Sequence, residues 1–133
     1  MSAALLDTSI LIADEESASA ERPATAAISV VTLGELRAGV LRAPDDRTRA
    51  VRQARLVAVR ARLLPLPVDE AVAEHYGDIL AHARDAGRMV KATDLLIIAT
   101  ARATGRTLHT LDRAQASLAR EVGVPVSGAG AAM

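Results

Sequence analysis

A chain of 133 residues with 16 basic and 16 acidic side chains has no net charge, and its length predicts one domain with its own core. It contains no Cys, Phe or Trp, which excludes disulfides and thiolate metal sites and leaves Leu, Ile, Val and Ala to form the core. No segment reaches the roughly 18 apolar residues of a membrane span, and Asp7 interrupts the apolar N-terminus, so we expect a cytoplasmic protein without membrane segment or export signal.

The N-terminal part predicts two strands separated by a short helix and a polar segment. Residues 3–6 are apolar and predict a strand, and the capping residues Asp7-Thr8-Ser9 predict a turn into a helix. Residues 14–24 are small and polar, which predicts a loop or a frayed helix end. The β-branched residues 26–31 predict the second strand.

The middle of the chain predicts three helices and an edge strand. A helix should open at residues 32–35 and end near residue 43, and a second, Arg-rich helix should run from Asp45-Asp46 to about residue 63. Residues 64–68 (LPLPV) contain two prolines, which favours a strand at the edge of a sheet. A third helix should open at residues 69–70 and stop at Gly87.

The C-terminal part predicts two helices and two strands. The helix at residues 95–103 is apolar nearly all round, so it should be buried and end at Gly105. Residues 107–111 predict a strand, residues 113–122 a helix, and residues 124–126 a last strand. The alternation implies an α/β fold with a central parallel sheet of about four to five short strands and helices on both faces.

Arginines are concentrated in one part of the chain, which we call the Arg stripe. Between Arg37 and Arg62 there are eight Arg and only two acids. Such a stripe predicts either a surface that contacts phosphates or a solvated amphipathic helix. Because the only aromatic residue is Tyr76, bound nucleic acid should be held through its backbone charge rather than by base stacking. The candidate phosphate contacts are Arg47, Arg49, Arg52 and Arg55.

Four carboxylates should project toward one edge of the predicted sheet. Asp7 and Asp112 follow predicted strands, Glu35 lies about one turn beyond another, and Asp94 begins the buried helix. Ligands of open parallel sheets bind beyond the carboxyl ends of the strands. Like charges repel unless a cation or proton intervenes, and oxygen ligands favour Mg²⁺ or Mn²⁺.

Each acid also has a purely structural interpretation. Asp7 and Asp94 could cap helices, and Asp112 could begin the last helix or sit in a turn. Thr32 and Glu35 have the spacing of a capping box. The alternative to a metal site is therefore a non-catalytic α/β binding module, whose acids are caps and whose Arg stripe binds an acidic partner. Caps do not account for the convergence of four acids at one edge.

Four short stretches resemble the PIN-domain ribonucleases, specifically the VapC-type toxins of bacterial toxin–antitoxin pairs. They are LLDTS at 5–9, TLGELRAG at 32–39, TDLLIIATA at 93–101 and TLD at 110–112, and their order and spacing agree with the family over nearly the full chain. One departure follows Asp112: many relatives have Phe shortly after this acid, whereas this chain reads Arg-Ala-Gln-Ala at 113–116.

The resemblance implies an Mg²⁺-dependent endoribonuclease, with Mn²⁺ as a substitute, that cuts RNA, commonly tRNA or rRNA. It also implies restraint by a cognate antitoxin and a homodimer. The single PIN-like domain would span residues 1–126, and residues 127–133 would be a disordered tail. The family's catalytic acids correspond to Asp7, Glu35, Asp94 and Asp112; of these, Asp7, Asp94 and Asp112 would bind the metal, with Ser9 and Thr110 as supporting polar groups.

Overall fold

A five-stranded parallel sheet forms the centre of the computed structural model, which describes residues 3–13 and 26–128. The predicted loop at 14–24 and residues 129–133 of the predicted tail lie outside the described residues. The strands are ordered β3-β2-β1-β4-β5, and every neighbouring pair is parallel. Their bounds are β1 Ala4–Leu6, β2 Ala26–Ser29, β3 Leu64–Leu66, β4 Thr107–His109 and β5 Val126–Ser127.

Helices connect successive strands of the sheet. Across residues 3–13 and 26–128, none of the helices combines the length and the apolar character needed to cross a membrane. Their bounds are α1 Thr8–Ala13, α2 Val30–Leu41, α3 Asp46–Arg62, α4 Glu70–Asp85, α5 Ala92–Thr104 and α6 Arg113–Glu121.

The sheet separates two apolar cores, because successive strand residues point to opposite faces. Leu5 of β1 packs on the face covered by α4, α5 and α6, whose buried side chains include Ile79 and Ile98. Leu6, the next residue, packs on the face covered by α1, α2 and α3, together with Leu11. The prediction of a parallel sheet with helices on both faces is therefore confirmed.

Several predicted helix ends and strand positions are also confirmed. Asp45 and Asp69 are the N-cap residues of α3 and α4, and each side chain accepts a hydrogen bond from a backbone N–H three residues later. Gly105 ends α5 in the left-handed conformation, with φ of 66°, which costs glycine little because it has no Cβ. The LPLPV segment forms β3 at one edge of the sheet.

The boundary between β2 and α2 differs from the prediction. Val30 and Val31 belong to the helix, because Ser29 caps it by accepting a hydrogen bond from the Val31 N–H at 3.0 Å. The capping box predicted for Thr32 and Glu35 is therefore wrong, since both residues lie inside the helix. At the C-terminal end, Ser127 belongs to β5 and pairs with His109 of β4, whereas the sequence predicts it as part of the tail.

Candidate active site

The four predicted acids lie on segments that meet at the carboxyl edge of the sheet, and we call them the acid rim. Asp7 connects β1 to α1, and Asp112 lies three residues beyond the end of β4. Glu35 is in the second turn of α2, and Asp94 is in the first turn of α5. In an open parallel sheet this edge is where ligands bind.

Asp7 is the most enclosed of the four acids, with 5% of its surface exposed. Its Oδ2 accepts a hydrogen bond from the Ser9 N–H at 3.0 Å, so the interpretation of Asp7 as a cap is correct. Thr110 Oγ1 lies 3.3 Å from the same oxygen, and Gln115 Nε2 donates to Oδ1 at 3.2 Å. These donors are all neutral, so they orient the Asp7 carboxylate without balancing its charge.

Asp94 does not cap its helix. The N-cap of α5 is Lys91, which makes no side-chain cap hydrogen bond, and Asp94 is the third helical residue. Burial raises the pKa of Asp94 to about 6, and the charge of Asp7 adds to that rise. Lys91 lowers the pKa of Asp94, whereas Asp112 and Glu35 raise it further by smaller contributions. All three other acids therefore act electrostatically on Asp94.

Glu35 and Asp112 are held at the rim by local hydrogen bonds. Thr8, next to Asp7 in the chain, donates its hydroxyl to Glu35 Oε1 at 2.6 Å, which ties α2 to the start of α1. Asp112 is exposed and caps α6, with Oδ1 accepting from the Gln115 N–H at 2.9 Å. The interpretation that Asp112 begins the last helix is thus correct, and its second carboxylate oxygen is not used by the cap.

The two predicted supporting residues join the ends of β1 and β4. Ser9 Oγ accepts a hydrogen bond from the Leu111 N–H at 3.0 Å, and Thr110 Oγ1 accepts one from the Asp112 N–H at 3.0 Å. The two hydroxyl oxygens lie 3.4 Å apart. Ser9 and Thr110 therefore fix the backbone that presents Asp7 and Asp112.

Gln115 is a site residue that the sequence interpretation missed. Its side chain is 1% exposed, and its carbonyl oxygen accepts from Thr110 Oγ1 at 2.7 Å. Its amide nitrogen donates to Asp7 Oδ1 at 3.2 Å and to the Asp94 carbonyl oxygen at 3.4 Å. The one sequence signal was its place in the stretch after Asp112, where the chain departs from many relatives.

The acid rim suits a hard divalent cation by its chemistry, although its side chains are not gathered around one point. Among the described residues, no three His, Asp or Glu side chains are close enough, as they stand, to hold one ion. The donors are carboxylate oxygens, which Mg²⁺ and Mn²⁺ prefer. Burial, and after it the negative charge of Asp7, raises the pKa of Asp94, and a bound cation would favour its ionised form.

The structure divides the predicted phosphate contacts into two pairs. Arg52 and Arg55 line a cavity of about 230 Å³ between α2 and α3, and Glu35 of the acid rim lines the same cavity. Arg52 is anchored there because its guanidinium donates to the Gly39 carbonyl at 2.8 Å. This pair of arginines therefore shares a cavity with Glu35.

The other pair lies at the exposed start of α3. Arg49 forms an ion pair with Asp46 at 3.1 Å within that helix, and it also donates to the Ala43 carbonyl at 3.3 Å. Arg47 is exposed. The structure does not bring Arg47 and Arg49 to the cavity that contains Glu35.

Comparisons with known proteins show which family the sequence matches. The sequence model of the PIN domain family matches residues 4–121, the span that contains all four acids. The chain is 46% identical over 100 residues to Ribonuclease VapC8 of Mycobacterium tuberculosis, covering 73% of this chain and 88% of that protein. It is 39% identical over 113 residues to Ribonuclease VapC5 of the same organism, covering 83% of each.

A solved structure gives the same result for the fold. The crystal structure of VapBC-5 from Mycobacterium tuberculosis, a member of the VapBC family of toxin–antitoxin systems, superimposes on this chain with a TM-score of 0.81. The two are 36% identical, and the match covers 96% of this chain and 98% of that chain.

Proposed function

Because this chain belongs to the PIN domain family, and within it to the VapC ribonucleases, we propose that it is an Mg²⁺-dependent endoribonuclease that hydrolyses RNA phosphodiester bonds and acts as the toxin of a toxin–antitoxin pair. Support comes from the relatives named ribonucleases and from the acid rim. The observation with the most weight is the position of Asp94. It is half-buried, it does not cap its helix, and the negative charges of the three other acids add to the rise in its pKa that burial causes.

The alternative, a binding module whose acids are only caps, accounts for part of the acid rim. Asp7 and Asp112 do cap α1 and α6. Asp94 gains no cap hydrogen bond, and it carries the cost of ionising while partly buried and near the charge of Asp7. A helix cap does not require that cost, whereas a cation site does, so the ribonuclease is the better account.

Asp7 and Asp94 would bind the metal ion directly, and Asp112 would reach it through water. When bound, Mg²⁺ supplies an activated water and neutralises the charge that develops on the phosphate. Neutral donors from Ser9 and Gln115 orient the Asp7 carboxylate and place no positive charge beside it. Glu35, held by the Thr8 hydroxyl, would accept a proton or orient water beside the phosphate.

The cavity lined by Glu35, Arg52 and Arg55 gives the RNA backbone a place next to the acids. Guanidinium groups bind phosphate through paired N–H donors, and the Arg52 anchor on Gly39 sets the position of one of them. We assign phosphate binding first to Arg52 and Arg55. Arg47 and Arg49 would add contacts farther along the RNA.

The partners are part of the same proposal. The VapBC-5 structure is that of a toxin–antitoxin system, and we propose that a cognate antitoxin likewise restrains this chain. The proposed substrate is tRNA or rRNA, the proposed site of action is the cytoplasm, and the proposed assembly is a homodimer.

The direct test is to incubate purified protein with total RNA and sequence the new RNA ends. We expect discrete cleavage sites with Mg²⁺ and none with EDTA, and no cleavage by the Asp94→Asn variant. Identical ends from wild type and Asp94→Asn, or undiminished cleavage in EDTA, would contradict the proposal.

A further inference from the structure

Gln115 is a buried amide at the centre of the acid rim. It lies on α6, 108 residues from Asp7 in the chain, yet its side chain contacts Asp7, Thr110 and the Asp94 backbone. It therefore connects the carboxyl ends of β1 and β4 with the first turn of α5.

The hydrogen-bond pattern fixes which way the amide points. The carbonyl oxygen of Gln115 accepts from Thr110 Oγ1 at 2.7 Å, the shortest of its contacts. Its nitrogen then faces Asp7 Oδ1 at 3.2 Å and the Asp94 carbonyl at 3.4 Å, both of which are acceptors only. Reversing the amide would place an oxygen against a carboxylate, so the Asp7 charge itself holds this orientation.

The Thr110 hydroxyl has two possible acceptors, Gln115 and Asp7. A hydroxyl has one proton, and the Gln115 carbonyl at 2.7 Å is a closer acceptor than Asp7 Oδ2 at 3.3 Å. The principal side-chain donor to Asp7 is therefore Gln115 rather than Thr110. Because the amide is neutral, it orients the carboxylate without supplying the positive charge that a lysine or arginine would place where a cation must bind.

We propose that Gln115 is the positioning residue of this site, which holds Asp7 at a fixed orientation relative to Asp94 so that the two carboxylates bind one divalent cation. The inference rests on the proposed function for its metal, and it adds a residue that is not one of the four acids. Residues that support a metal ligand by hydrogen bonding typically contribute about 10–100-fold to metal affinity.

The test is the affinity for Mn²⁺ alone, measured from the loss of the free-ion signal in electron paramagnetic resonance. Gln115→Met keeps an unbranched side chain of similar length and removes all three hydrogen bonds. We expect it to weaken Mn²⁺ binding by roughly tenfold or more. If Met prevents folding, Gln115→Asn keeps an amide but retracts it by one methylene, and the expected loss is in the same direction.

Leu118→Ala is the matched control, because Leu118 is fully buried on the same helix and belongs to the apolar core. It should lower the melting temperature but leave the Mn²⁺ affinity unchanged. A Gln115 that served the fold alone would lower the melting temperature in the same way, with Mn²⁺ affinity equal to wild type, and that result would overturn the inference.

The outcome separates the inference from the proposed function. If wild type binds Mn²⁺ but cuts no RNA, the proposed ribonuclease activity is overturned. Weaker Mn²⁺ binding by Gln115→Met would still support the positioning role. Equal Mn²⁺ affinity in the two proteins, with RNA cleavage intact in wild type, would overturn the positioning role alone. Wild type that binds no Mn²⁺ would overturn both.

Discussion

The acid rim and helix α3 are both strongly charged, but the charges of the rim are more buried and less paired than those of α3. On α3 most of the charges are exposed, and Arg49 pairs with Asp46 in its own helix. At the rim, burial and neighbouring acids raise the pKa of Asp94 to about 6. Asp7 is 95% enclosed and held only by neutral donors.

The difference shows which charges cost the fold free energy. Exposed charges are screened by water and salt, so those on α3 contribute little either way. Like charges that are partly buried destabilise the folded state until a cation or proton offsets them. The rim therefore has a reason to bind a cation from solution, whereas α3 is suited to transient contact with phosphates.

The largest predicted effect is on cleavage by rim variants. Asp7→Asn and Asp94→Asn should each lower the rate of RNA cleavage by more than roughly 100-fold, because changing a residue that only supports a metal ligand already costs about 10–100-fold. The measurement is the initial rate on a labelled RNA in Mg²⁺, with circular dichroism to verify folding.

The matched control is the same chemical change on α3. Asp45→Asn removes one negative charge from the N-cap of α3, where Asn caps about as well as Asp. Its cleavage rate should equal that of wild type. If Asp45→Asn were as inactive as the rim variants, the contrast between the two regions would be wrong.

The second effect is on salt dependence, and it would sharpen the description of α3. Arg52→Gln combined with Arg55→Gln should flatten the log–log dependence of RNA affinity on salt by about one to two units, since each phosphate contact contributes about one. The same changes at Arg60 and Arg62, exposed at the end of α3, should leave the slope unchanged. Equal slopes in both double variants would contradict the assignment of phosphate binding to Arg52 and Arg55 in the cavity beside Glu35.

The third effect is on stability as a function of pH without metal. The pKa of Asp94 is raised in the folded state from 3.8 to about 6, so the folded protein binds more protons over this interval and stability falls as pH rises through it. In EDTA, Asp94→Asn should therefore melt higher than wild type at pH 7.5, and the difference should shrink at pH 5. A difference that stays constant between pH 5 and 7.5 would contradict the raised pKa.

Much of the fold follows from local sequence patterns. The apolar strands, the caps Asp45 and Asp69, and the prolines of β3 each depend on a few neighbouring residues. The start of α2 was missed because Val30 and Val31 have high strand propensity, while the Ser29 cap decides the structure. Propensity is a weak signal where a cap competes with it.

The site could be predicted only in part, because local sequence patterns do not show contacts between residues that are distant in the chain. The four acids are recognisable because the carboxyl ends of parallel strands share one edge. Gln115 is not, because its role depends on contacts with residues up to 108 positions away. The distinction between Asp112, which caps a helix, and Asp94, which does not, likewise depended on where α5 begins.

The central claim is that the acid rim binds a divalent cation through Asp94, and thermal melting with and without Mg²⁺ at pH 7.5 tests it without a substrate. A cation that binds only the folded state stabilises it by about 2.7 kcal/mol at a hundredfold excess over Kd, which raises the melting temperature by several degrees in a domain of this size. We expect this rise in wild type, and we expect Asp94→Asn to lose most of it. Equal shifts in the two proteins, or no shift in wild type, would contradict cation binding through Asp94.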